Sequence, residues 1–274
     1  MTNVNVSNIL QGPCDVYVAS FGATEPTDGV WTPVDQTIWR PAGATSGGVK
    51  LTVGITSKNL DVDQVPDPVG VRVTGRTVDV ETSMSEVTLQ NIQSLMNGGT
   101  LTVGGTTTAG GTWTTTPSTS TLTSTTAHGL TVGQAIVLGA ITNTTGIVAG
   151  QVYFVLTVPT TTTITIALAA NGTPVPMGGT TGSVASVTIA TYESFQPLSS
   201  VAAFNPTYSA ILLEGAAPGA SASYLRRVIV RRVLSTGGFS VEWKKDTQQG
   251  LTAKWGAYYV SNSISVFKVI DEFA

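Results

Sequence analysis

From Val87 to Tyr192 the chain carries no Asp, Glu, Lys or Arg. All 13 Lys and Arg and all 16 Asp and Glu lie before or after that stretch. A chain that changes so abruptly is two things joined, so the break constrains the fold more than any motif. Threonine collects in the charge-free part, in TTTAGGTWTTTPSTSTLTSTTAHG at 106–129 and TVPTTTTITIALAANGTP at 157–174. In a Ser/Thr/Pro-rich stalk such hydroxyls carry glycans and nothing packs. In a folded β domain, threonine instead supplies β-branched residues for strand positions that face water without charge. The runs Gln134–Leu138, Gln151–Leu156 and Thr163–Leu168 have strand character, with Gly, Asn and Pro turns between them. They favour the folded reading: a small all-β domain over 104–191, inserted into a base domain made of 1–103 and 192–274.

The flanks read as mainly β. Residues 1–13 are polar and end at a Gly-Pro breaker, so an extended arm is expected there. Strands are expected at Asp15–Phe21, Val49–Val53, Lys58–Val65 and Val71–Glu81. Others follow at Ser209–Glu214, Tyr224–Leu234, Phe239–Lys244, Leu251–Val260 and Val266–Ile270. Ser235-Thr-Gly-Gly238 reads as a hairpin turn. Leu60 and Val62 alternate with Asp61 and Asp63, and Val78 and Val80 with Asp79 and Glu81, which predicts one packed and one wet face. A single helix is predicted over Glu86–Asn97. Ser83 and Glu86 have capping-box spacing, and Leu89, Ile92, Leu95 and Met96 form its apolar stripe. Residues 22–48, with Trp31 and Trp39, form a loop too long to be idle.

Several chemistries are excluded. One cysteine, Cys14, allows no intramolecular disulfide, and one histidine, His128, allows no Cys/His zinc site. His128 sits where no carboxylate is near in sequence, so it reads as a turn residue and not as a catalytic base. Asp61-Val-Asp63-Gln-Val-Pro-Asp67 starts like a calcium loop but places Pro66 where glycine is required and Arg72 where the bidentate acid belongs. No phosphate-binding glycine motif occurs. No enzyme activity and no cofactor is expected. A net charge of −3 argues against a protein that grips duplex DNA. No signal peptide or apolar span is apparent, so a soluble, cytosolically made protein is expected. Arg226, Arg227, Arg231 and Arg232 divide two and two between the faces of a strand, which suits ion pairing within or between subunits better than nucleic-acid binding.

The flanks resemble the major tail proteins, or tail-tube subunits, of long-tailed non-contractile bacteriophages. The resemblance lies in Gly12-Pro-Cys-Asp-Val-Tyr-Val, Phe21-Gly-Ala-Thr-Glu-Pro, Leu60-Asp-Val-Asp-Gln-Val-Pro-Asp-Pro-Val-Gly-Val-Arg and Thr88-Leu-Gln-Asn-Ile. It continues in Leu212-Leu-Glu-Gly, Arg226-Arg-Val-Ile-Val-Arg-Arg-Val-Leu-Ser-Thr-Gly, Lys244-Lys-Asp and Ala257-Tyr-Tyr-Val-Ser-Asn-Ser. It implies a β-sandwich-like subunit with one packed helix, whose sheets join around a hexameric ring. Rings would stack into a hollow tail tube that conducts DNA on ejection, with the inserted domain projecting outward. The implied partners are other copies of the chain and the tape-measure, tail-terminator and tail-tip proteins; DNA would pass without sequence-specific contact, and the location would be the virion. On this reading Asp61, Asp63, Asp79 and Glu81 are candidates for the lumen lining, since cations there would hold phosphate back; an outer solvent-facing position is the alternative. Trp31, Trp39 and the four arginines are candidate inter-subunit contacts, or for the tryptophans part of their own core. A rival reading is a virion adhesin that binds receptor glycans through Trp113, Tyr153 and Phe154.

Overall fold

The structure is a computed structural model and describes residues 12–198, 205–218, 224–241, 245 and 250–272. It is mainly β, with two antiparallel sheets and one α-helix among the described residues. The chain divides into two compact units. One takes in the chain up to Val34, Ile38–Gly99 and from Pro197 onward; the other comprises Thr100–Gln196 with Asp35–Thr37.

The first unit is built on β1 (Cys14–Ser20), β2 (Arg40–Pro41), β3 (Thr45–Val62) and β4 (Val65–Met84), followed by α1 (Leu89–Leu95). The second unit contributes β5 (Thr100–Thr108), β6 (Trp113–Thr116), β7 (Thr121–Ser124), β8 (Ala135–Leu138) and β9 (Ile141–Thr145). It continues with β10 (Val152–Thr160), β11 (Thr163–Ala167), β12 (Gly178–Val184) and β13 (Val187–Gln196). The chain then returns to the first unit with β14 (Ser209–Ala216), β15 (Leu225–Ser235), β16 (Leu251–Ala257) and β17 (Phe267–Asp271).

In the first unit the strand order is β2-β1-β14-β15-β16-β4-β3, with β17 paired to the first half of β15. Val16, Val18, Val80, Met84, Ile211, Val230, Val233, Ala253 and Trp255 share one core beneath α1, which sends Leu95 into it. The opposite face of β1, β14 and β15 is buried too. Tyr17, Leu212 and Ile229 meet Val34 and Trp39 there, so the 22–48 loop covers the back of the sheet. That explains why β1 shows four consecutive buried residues and not alternation.

The registers give the sheet a polarity. Ser20 pairs with Ser209, Ser209 with Val233, Ser235 with Trp255 and Leu251 with Met84, so these residues mark one end, where α1 also lies. Cys14, Gly215 and Arg226 mark the other. β4 parts from β16 at Asp79 and runs on toward the Cys14 end, paired among the described residues with β3 alone.

Three expectations change. The helix begins at Leu89, and its cap is Thr88, whose hydroxyl accepts from the Asn91 amide at 3.2 Å. Ser83 belongs to β4, and Glu86 turns away to accept from the Ala44 amide at 3.0 Å. Glycine is required at position 43, where φ is +83° and an added Cβ would collide with the Glu86 carboxylate. Next, Ser235–Gly238 does not close a tight hairpin. β15 pairs onward with β16, which starts only at Leu251; residues 239–241 are not strand, and 242–244 lie outside the described residues, as do 1–11 of the expected arm. Finally, the packed face of β4 holds for Val78, Val80, Thr82 and Met84 and ends there.

The second unit is one nine-stranded sheet, β5-β13-β8-β10-β11-β7-β6-β12-β9, around its own core of Trp113, Leu122, Ile136, Leu138, Tyr153, Ile164 and Ile166. Entry and exit lie side by side, since Thr100 pairs with Gln196.

Candidate assembly surface

β3 and β4 span 18 and 20 residues and pair along almost their whole length. At about 3.3 Å per residue, the part beyond Val53 reaches on the order of 30 Å past the last contact with β16. Pairing partners point to the same side, so Val53–Val78, Ile55–Arg76, Ser57–Val73 and Asn59–Val71 continue the face that carries Leu51 and Val80 into the core. The register shift between Thr56 and Ser57 keeps Val73 and Val71 on that side. Phe267 of β17 meets this face at its base, its ring centre 5.9 Å from the Arg76 guanidinium; beyond that the face is open among the described residues, with Ile55 68%, Val73 62%, Val71 62% and Val69 55% exposed. Alternation in the sequence is real, but it announces a packed face that the protomer does not pack.

The four acids do not make one patch. Asp79 and Glu81 pair with Thr52 and Lys50 on the side away from the core, whereas Asp61 and Asp63 lie at the hairpin tip. Glu81 is bridged by Lys254 at 2.7 Å and Lys50 at 3.9 Å, and the Lys254 ammonium holds its carboxyl below the usual range. Asp61, Asp63 and the neighbouring Asp67 are exposed and enter no ion pair among the described residues.

Trp39 is 2% exposed and donates from its indole to the Thr24 carbonyl at 2.9 Å, so it is a core residue of its own chain and no free anchor. Trp31 is half-buried, with the Arg227 guanidinium 5.1 Å from its ring centre. All four arginines find partners inside the protomer. Arg226 holds Asp271 with two bonds of 2.6 and 2.7 Å; Arg227 pairs with Glu214 and donates to the Val30 and Thr32 carbonyls; Arg231 pairs with Glu25. Arg232 lies 3.8 Å from the Tyr208 ring centre and donates to the Tyr259 carbonyl. The acids concerned come from distant strands and loops, which is why local sequence could not name them.

In the second unit, Trp113 is fully buried, stacked with His128 and bonded to the Ala109 carbonyl; Tyr153 is 1% exposed and accepts from the Val148 amide. Neither can serve as a sugar platform, which removes two of the three aromatics from the adhesin reading. His128 uses Nδ1 to accept from the Leu130 amide at 2.9 Å, as a buried turn residue. The threonines have a clear geometry. Thr142, Ser183, Thr114, Thr123, Thr163 and Thr160 are successive register partners across six strands, none of them buried. This hydroxyl row wets the sheet without a charge, and Thr142 and Ser183 are joined at 2.8 Å within it.

The chain matches no protein-family model and no curated protein sequence. Among the described residues no cluster of His, Cys, Asp or Glu is placed to hold a metal, and no helix is long and apolar enough to cross a membrane.

Proposed function

We propose that the chain is a structural subunit that assembles with copies of itself, in the manner of a phage tail-tube protein, and that it works in the virion tail as part of a conduit for DNA. The observation that carries this reading is the uncovered apolar face of the β3–β4 hairpin. Two strands alone are marginally stable in water, and a monomer seldom keeps a contiguous apolar stripe exposed. Covering a valine or isoleucine side chain stabilises a contact by about 1.5–3 kcal/mol, so a stripe of such residues supplies a driving force for association. The unpaired outer edge of β3 offers main-chain bonding to the same end, which ring closure would hide. The resemblance of the flanks to tail-tube subunits supports the same reading and adds the hexameric ring, the stacking of rings and the tail-assembly partners. A lumen lined by acids keeps Asp79 as its candidate, and Asp61 and Asp63 only where the hairpin tip is left uncovered by a neighbouring copy, while Glu81 is held by Lys254 and Lys50.

Negative-stain micrographs of the purified chain, together with sedimentation over a range of concentrations, test this. Rings or hollow tubes are expected; a monomer that persists at every concentration overturns the proposal.

A further inference from the structure

Arg40, in β2, is held at the foot of α1 without an ion pair among the described residues. Its guanidinium is bonded to neutral groups only: Asn91 Oδ1 at 2.8 Å, Ser94 Oγ at 2.9 Å and the carbonyls of Pro41 and Gln90 at 3.2 and 3.4 Å. Among the described residues no carboxylate answers its charge. Burial therefore pushes it down to about 10 with nothing opposing the shift. A partly buried cation without a counter-ion is costly, and this one lines a cavity of about 340 Å³ to which Ser20, Thr207 and Ser209 also contribute. Positive charge with hydroxyl donors around it is the chemistry that receives a carboxylate.

Three carboxylates gathered at the hairpin tip are in the complementary condition: Asp61, Asp63 and Asp67 are exposed and in no ion pair among the described residues. The strand registers place the two features at opposite ends of the sheet. The Arg40 cavity lies at the Ser20–Ser209 end beside α1, and the hairpin leaves past the Cys14–Gly215 end. No protomer can satisfy itself across that separation, but successive copies can.

We infer that the acidic hairpin tip of one copy docks in the Arg40 cavity of the next, a head-to-tail contact that repeats along a stack. Head-to-tail contacts of this kind are heterologous and propagate instead of closing on a dimer. The docking rests on the self-assembly proposed above and adds the receiving surface and the charge that selects it.

Cysteine pairing tests it in the full-length chain. Asp63→Cys and Ser20→Cys are combined, with each single variant and the wild type, which retains Cys14, as controls. Mild oxidation of the double variant is expected to give a ladder of covalently joined copies on a non-reducing gel. The single variants and the wild type are expected to show no ladder. In parallel, Asp61→Asn, Asp63→Asn and Asp67→Asn together are expected to raise at least tenfold the concentration needed for assembly at low salt, with the difference shrinking at high salt. Normal particles without a ladder, or a triple variant that assembles like wild type, overturn the docking and leave self-assembly standing. A wild-type chain that forms no particles at all overturns both.

Discussion

Arg227 and Glu214 face each other on the paired strands β15 and β14, and their ion pair is almost closed to solvent. The same guanidinium donates to the carbonyls of Val30 and Thr32 and lies against the Trp31 ring. One arginine thus fastens the 22–48 loop to the back of the sheet, where Val34 and Trp39 complete a core.

Removing only the acid should be severe. Glu214→Ala leaves a buried guanidinium with its charge unanswered, and losses of this kind run to about 3–5 kcal/mol. Glu214→Ala with Arg227→Met should recover part of that loss, since no uncompensated charge then remains. Denaturant midpoints followed by tryptophan fluorescence give both values; equal losses for the single and double variants would remove the ion pair from the explanation.

Asp271 gives a pH prediction with a definite sign. The Arg226 guanidinium lowers its folded pKa below the ordinary value of 3.8. A lowered folded pKa means the clamp contributes fully above that ordinary value and is lost as pH falls from there through the folded one. Amide protection of β17 in hydrogen exchange should therefore fall with acid below pH about 4. In Asp271→Asn it should already be low at neutral pH and should not drop further through this window.

The exposed hairpin separates stability from assembly. Ile55→Thr, Val71→Thr and Val73→Thr replace side chains that touch little within the protomer, so each should change the unfolding free energy by less than about 0.5 kcal/mol. Together they should abolish rings or tubes in micrographs. A triple variant that assembles normally would show that the stripe is not the contact.

How much of this was legible beforehand differs from element to element. Charge ends at Glu86, ahead of the compact unit Thr100–Gln196, and returns at Glu193, within that unit's last strand, because a hydroxyl row replaces charge on most of the unit's wet face. The apolar stripe of Ile92 and Leu95 announced α1, yet its first turn moved from Glu86 to Leu89. Thr88 takes the cap, and Glu86 is claimed by the Ala44 amide, a partner from a remote segment. Alternation around Val71 and Val78 reports which side a residue takes, never whether anything lies opposite. Only the fold separates buried Val78 from exposed Val71. Arg40 was invisible for a related reason: its four acceptors are neutral, and three of them belong to α1, some fifty positions on.

Asn91 joins those pieces. It is 1% exposed, donates to the carbonyls of Ala42 and Glu86 at 2.8 Å each, and accepts from Arg40. Asn91→Leu strands all three groups, at about 1–3 kcal/mol apiece before relaxation. The expected result is a destabilisation larger than that from Thr88→Ala, where only a cap worth about 1 kcal/mol is lost. Thermal unfolding of both variants ranks them; the reverse order would assign the helix's anchorage to its cap.

The last prediction concerns the second unit. Its first strand and its last are neighbours, with Thr100 opposite Gln196 and Leu101 opposite Phe195. The ends left by removing 100–196 are therefore about 5 Å apart, the spacing of paired strands, and a short Gly/Ser linker closes such a gap at small entropic cost. The first unit keeps its own strands, its helix and both of its apolar cores without any residue from the second. A chain with 100–196 replaced by such a linker should unfold cooperatively and still form the particles seen with the intact protein, thinner in outline by the mass removed. Trp113→Ala in the full chain is the companion experiment. Losing a fully buried tryptophan costs about 3–5 kcal/mol, and the loss should fall on the second unit alone, leaving protection of β14 and β15 amides unchanged. If the shortened chain folds and no longer assembles, the second unit belongs to the contact between copies, and the hydroxyl row from Thr142 to Thr160 becomes the surface to mutate first.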